Sequence, residues 1–248
     1  MNNTFSFDRF RSLLLKDGKM YLRNFGITLI VLCNLSTAIW VMDFLVQIAF
    51  GNFDSHQIPS ELRYGVIIIA TLLGLLMVPS RVYGKVNQQR DGVAFAMLPA
   101  SSLEKFLSMF VYCMVVSPIL LFFGSYLTDT FLSILPFGSY DEITRLNIID
   151  TFSINKPTWA DSIFFILFPY FWISLYMLGN TIFKRRSAGK TFGCLMGTVY
   201  LFSTYLGLLA NAFDWNFPGF RTFLVIIMFL LTGLFLFFTY LKIKTQKY

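Results

Sequence analysis

Charge is what this sequence has least of. Only 13% of its 248 residues are Asp, Glu, Lys or Arg, where a soluble domain carries about 25%. That leaves too little polar surface to keep a water-borne fold of this length in solution. Histidine is reduced to His56, and cysteine to Cys33, Cys113 and Cys194. Three cysteines exclude a disulfide framework, and each falls in a different apolar run without the spacing of a metal site. They read as small packing residues. No His/Glu cluster suggests a zinc hydrolase, and no pair of intramembrane acids suggests an aspartyl protease. What the sequence does have is apolar: 56% hydrophobic residues, 19% aromatic, 30 of them Phe, and a mean hydropathy of +0.65. Disorder is excluded with equal force.

A helix needs about 20 mostly apolar residues to cross a hydrocarbon core about 30 Å thick. Six stretches qualify, at about 25–50, 64–79, 106–127, 162–183, 191–213 and 222–241. They are continuous and do not alternate, which favours helices over a barrel. The expected fold class is therefore all-α: a polytopic membrane protein with six transmembrane helices. The domain 25–241 follows a lead at 1–24 and precedes a basic tail at 242–248. The second stretch is short and ends in Val78-Pro79-Ser80. No cleavable signal peptide is expected, because the first apolar run is too long for one.

The net charge of +7 tempts a nucleic-acid reading, but its placement argues otherwise. Sixteen of the 20 basic residues and four of the 13 acidic ones fall before span one, between two and three, between four and five, and after six. That side carries +12. The other side, with four basic and nine acidic residues, carries −5. The alternation follows the positive-inside rule and places both termini in the cytoplasm of a bacterial inner membrane. No nucleic-acid partner is needed.

The lead is amphipathic. Phe7, Phe10, Leu13, Leu14 and Tyr21 recur at helical spacing, with Arg9, Lys16 and Lys19 elsewhere on the wheel. It reads as an interfacial helix against the lipid bilayer, its polar face free for a partner. In the loop between spans two and three, Ser101 and Glu104 have the spacing of a capping box. Pro99 turns the preceding residue away from helix, so Leu98-Pro99-Ala100-Ser101-Ser102-Leu103-Glu104-Lys105 is a sharp entry into span three. Ser139 and Glu142 have the same spacing in the long connection 128–161. Trp159 and Trp215 sit near span ends, as belt residues do. Three polar residues fall inside apolar runs: Asn34, Asp43 and Asn180. They are candidate intramembrane polar sites, with hydrogen bonding between helices the plainer role.

One motif misleads. Ser187-Ala188-Gly189-Lys190-Thr191 looks like the end of a phosphate-binding loop, but Lys184 stands where the first Gly is required and a span follows. The chain supplies no cofactor site and no catalytic set, so uphill transport needs borrowed energy.

Six spans, a basic lead and a cytoplasmic segment ending in Met97-Leu98-Pro99-Ala100-Ser101-Ser102-Leu103-Glu104-Lys105-Phe106 resemble permease subunits of ABC-2 type ABC transporters, in particular those of Bacteroidetes. The resemblance implies an exporter whose permease pairs with a second permease subunit, identical or similar. A separate ABC ATPase subunit would bind the ATP and Mg. It also implies a coupling helix around Lys85, Gln88, Arg90 and Asp91, and more loosely Phe95, with the lead as connecting helix. One departure is that the long external loop follows span three and not span five. From the residues alone, a non-transporting membrane scaffold or assembly factor is the alternative.

Overall fold

The structure is a computed structural model that describes residues 5–50, 60–84, 95, 97–135, 159–183, 218–245 and scattered positions between 189 and 200. Every regular element among these residues is a helix. In chain order they are α1 (Phe7–Cys33), α2 (Leu35–Phe50), α3 (Ser60–Tyr83), α4 (Ser102–Phe110), a π-helical segment (Val111–Val116), α5 (Ser117–Ile134), α6 (Trp159–Ile182) and α7 (Pro218–Thr245).

Four continuous helical stretches are long and apolar enough to cross a membrane: Phe7–Ala49, Leu62–Tyr83, Ser102–Ile134 and Val225–Thr245. Their outward faces carry Ile27, Ile30, Phe123, Leu127, Phe229 and Phe237, all exposed. Lipid is the solvent that suits such faces. The protein is an all-helical membrane protein. Ile166–Ile182 of α6 is a shorter apolar helix. Of the expected fifth span, only scattered helical positions up to Tyr200 are described. His56, Trp215, Ser139 and Glu142 lie outside the described residues, as does the side chain of Trp159.

The sequence leaves the second span either short and ending at Pro79 or running on through Val82 and Tyr83, and α3 takes the longer course, to Tyr83. A helical proline removes one donor, but the ladder resumes beyond it, with the Gly84 amide donating to the Ser80 carbonyl at 3.1 Å. Its 24 residues reach about 36 Å at 1.5 Å per residue, enough to span without thinning the bilayer. The lead and the first span are one helix, since α1 passes unbroken through residues 24 and 25. Its buried residues Phe10, Leu13, Asp17, Tyr21 and Phe25 form one stripe that crosses this boundary. The stripe packs against α3, α4 and α5, which keeps the lead in line with the span. A single break at Asn34 then separates α1 from α2. Along the path Phe7–Ala49, 43 residues give about 65 Å, twice the hydrocarbon core. Ser102–Ile134, about 50 Å long, also exceeds the thickness of the core.

The π segment has a physical cause. Pro118 has no N–H to offer the Met114 carbonyl, and its ring crowds that carbonyl. The backbone widens instead, and the Ser117 amide and hydroxyl both donate to the Tyr112 carbonyl. Widened turns of this kind are enriched at functional sites.

The lead, the end of α3, the start of α4 and the end of α7 share one end of the bundle. Ser6 bonds Glu104, Tyr83 bonds Asp17, and the Phe106 and Tyr240 rings meet edge to face at 5.7 Å. We call this the basic end. The core beneath it is made by Tyr21, Phe25, Val78, Val82, Met109 and Cys113. Deeper in, α3 and α5 pack closely: a Cβ at Gly74 would lie 2.5 Å from Leu121 Cδ1. Small residues at such crossings let membrane helices approach.

Gly74→Val is therefore expected to lower stability by about 1–3 kcal/mol through overpacking. Gly65→Ala, where an added Cβ meets open space, should shift it by less than about 1 kcal/mol. Thermal unfolding of the two variants in detergent checks the contrast.

Candidate functional site

The basic end carries a cluster of buried polar residues, among them Asp17, Ser101, Glu104, Lys105 and Ser108. Its first part is built by the turn into α4. Ser101 is extended, with φ −66° and ψ 158°, so it serves as the N-cap. The Glu104 amide donates to Ser101 Oγ at 3.2 Å, and the Ser101 amide donates to Glu104 Oε2 at 2.8 Å. Both bonds of the capping box are present.

Glu104 does more than cap. Its Oε1 accepts the backbone amide of Ser6 at 2.8 Å and lies 3.4 Å from Arg9 Nη2. The carboxylate is fully buried. It joins the chain's first described residues to the start of α4, across 98 positions of sequence. Burial alone would raise its pKa. The Ser6 and Ser101 amides, with Arg9 beside it, outweigh that and hold the carboxyl below its ordinary value.

A second carboxylate lies two turns further along the lead. Asp17 is buried, and its Oδ2 accepts from Ser108 Oγ at 2.6 Å and from the Tyr83 hydroxyl at 3.3 Å. Three elements meet there: α1, the end of α3 and α4. Burial raises the Asp17 pKa, opposed by the Ser108 and Tyr83 hydrogen bonds and by Lys16. Tyr112 adds a third tie, donating to the Leu14 carbonyl at 2.8 Å and stacking on Tyr21. Gly18 makes room for it, since a Cβ there would meet the Tyr112 hydroxyl at 2.5 Å.

Lys105 is drawn inward as well. Its ammonium lies 5.3 Å from the centre of the Phe95 ring, a cation–π contact, and Phe95 packs against the core. Burial and the nearby Lys16 lower the Lys105 pKa, while Glu104 works against them. Phe95 thus makes an internal contact while remaining half-buried. Leu98 is half-buried and Pro99 exposed, in the turn that follows. Lys85, Gln88, Arg90 and Asp91 lie outside the described residues.

The three intramembrane polar candidates are scattered. Asn34 is exposed, and its amide donates to the Ile30 carbonyl of its own helix at 2.9 Å, easing the break there. Asp43 accepts from Gln47, one turn on, at 2.7 Å. Asn180 is buried, and neither its amide nitrogen nor its oxygen has a partner among the described residues. The structure does not bring these three together.

Sequence reasoning missed an ion pair at the opposite end. Arg63 Nη2 lies 2.7 Å from Asp129 Oδ2, and Arg63 Nε lies 3.2 Å from Asp129 Oδ1. Both side chains are buried. Arg63 passes unnoticed as one of the few basic residues of its side, and Asp129 as one external acid among several. The usable signal is their position. In antiparallel neighbours, the start of one helix faces the end of the next.

Comparisons with protein-family models, with curated proteins and with solved structures gave no match.

The Glu104 clasp predicts a pH dependence with a definite sign. Its folded pKa is depressed, so its stabilisation is complete above the ordinary value of 4.5 and is lost as pH falls through the folded value. Glu104→Gln keeps the shape and loses the charge. At pH 7 the variant should be less stable by about 1 kcal/mol or more. The gap to wild type should close on acidification below 4.5. The Asp17 contribution has the opposite sign but cancels in this difference, which unfolding midpoints across a pH series would read.

Proposed function

We propose that this chain is the membrane-embedded permease subunit of an ABC-2 type exporter in a bacterial inner membrane. In this reading it has six spans and keeps both termini in the cytoplasm. It pairs with a second permease subunit, identical or similar, to enclose the translocation path. Separate ABC ATPase subunits bind ATP and Mg and dock at the basic end. The lead serves as connecting helix, and the stretch around Lys85, Gln88, Arg90 and Asp91 as coupling helix.

The observation that carries this reading is the clasped basic end. Glu104 ties the lead to the start of α4, and Asp17 ties it to the ends of α3 and α4. The segment between Gly84 and Ser101 thus leaves and re-enters a unit already fixed to the lead. A push delivered there passes to α3, α4 and α1 together and not to a loose loop. Force transfer between a motor and membrane helices needs such a rigid attachment, because coupling travels through packed elements with discrete arrangements. The charge excess read from the sequence is expected on the same side as the lead and the loop between spans two and three.

The test is affinity capture of the tagged full chain from its native membrane, followed by ATPase assay of the captured complex. An ABC ATPase should co-purify. Arg90→Glu should leave the spans folded while the complex loses ATP-driven transport. Capture without any ATPase would overturn the reading and favour a scaffold.

A further inference from the structure

The helical path Ser102–Ile134 changes its inward face partway along. On α4 the buried residues are Glu104, Lys105, Ser108 and Met109. A regular helix turns every 3.6 residues. Carried on from Met109, its inward face would run through Val116, Leu120, Phe123, Leu127 and Ile134, an unbroken apolar stripe. Yet Leu120, Phe123, Leu127 and Ile134 are exposed. The stripe that α5 buries is Ser117, Leu121, Ser125, Asp129 and Leu132. Ser117 and Leu121 each stand one place after the residue that a regular helix would turn inward. Between the two stretches lies the π segment Val111–Val116. A π turn closes over one residue more than an α turn, and one residue is about 100° of helix rotation. The extra residue stored there accounts for the change of face.

Two sets of contacts act on this turn. Upstream, the path is fixed to the lead: Glu104 holds the Ser6 amide, Ser108 donates to Asp17, and Tyr112 donates to the Leu14 carbonyl. Downstream, the described register is held by Leu121 against Gly74 and by Asp129 beside Arg63. Pro118 and the Ser117 hydroxyl favour the wide turn itself. Against them stands the cost that makes π turns rare, and an apolar stripe on α5 that suits a packed interior as well as it suits lipid. The residue whose carbonyl closes the wide turn is Tyr112, and Tyr112 is the residue tied to the lead. A displacement of the lead therefore acts directly on the turn that stores the extra residue.

We propose that Val111–Val116 is a register switch. In the described register α5 turns Ser117, Ser125 and Asp129 inward. When the wide turn tightens to α geometry, α5 rotates by about 100° and turns Leu120, Phe123 and Leu127 inward in their place. The clasped α4 does not rotate with it. This inference does not depend on which partner drives the protein.

The experiment uses the full chain in lipid nanodiscs, with native Cys33 as the fixed point. Cys33 lies beside Ser125 and the Leu121 carbonyl. Phe123, two residues before Ser125, is about 200° away round the helix and exposed. Rotation by about 100° turns Phe123 toward Cys33 and Ser125 away from it. Ser125→Cys thus reports the described register and Phe123→Cys the regular one. Each is oxidised with iodine, and the peptide linked to Cys33 is quantified by mass spectrometry. In the otherwise native chain Ser125→Cys should link fast, and Phe123→Cys more slowly but measurably. Pro118→Ala restores the missing amide and should speed the Phe123→Cys link several-fold. Deletion of Val115 removes the stored residue and should invert the order, slowing the Ser125→Cys link about ten-fold or more. Should the deletion fail to fold, the Pro118→Ala comparison still decides. No Phe123→Cys link in either the native or the Pro118→Ala chain would show a fixed register and overturn the proposal. So would a Ser125→Cys that does not link in the native chain, or two positions that link equally fast in every variant.

Discussion

Glu104 has no solvent to answer its charge, so the basic end is arranged around the groups that do. Two backbone amides, one from the start of α4 and one from the far N-terminal side of the chain, point at its two oxygens, and Arg9 stands beside them. A buried carboxylate left without these donors would cost more than the helix gains by starting there. The donors in turn fix the lead. Once Ser6 is held at Ser101, the stripe from Phe10 to Phe25 lies against α3, α4 and α5, and Asp17 reaches Ser108 and Tyr83. One charge at one helix start thus decides where a helix of 27 residues runs.

That arrangement shows what covers the buried part of the lead's apolar face. Amphipathicity shows that a helix has an apolar face, but not which apolar surface covers it. Here the chain's own helices cover Phe10, Leu13 and Tyr21, while Phe7, Leu15 and Leu22 remain exposed. The periodicity puts Phe7, Phe10, Leu13 and Tyr21 on one face, and the tertiary contact leaves Phe7 of that set exposed.

The sequence was a good guide wherever the controlling physics was local. Apolar length predicts helices that cross a membrane, and four are present among the described residues. Ser101 and Glu104 have the spacing of a capping box, and both of its bonds form. It was a poor guide where the controlling contact was distant. Asp17 and Glu104 entered the topology count as two acids on a basic side, and nothing nearby in the chain announces Ser108, Tyr83 or Ser6 as their partners. Arg63 and Asp129 are likewise 66 residues apart, and nothing near either in the chain announces the other.

The central claim is that the lead and the start of α4 form one unit. Cysteines placed at Ser6 and Ser101 test it most directly, because the amides of both residues bond the same carboxylate. Treated in native membranes with a short bifunctional thiol reagent, the two positions should join within one chain, and the linked peptide should be recovered in high yield. Two cysteines that each react singly and never link would show a lead that stands apart from α4, and the account would fail with it.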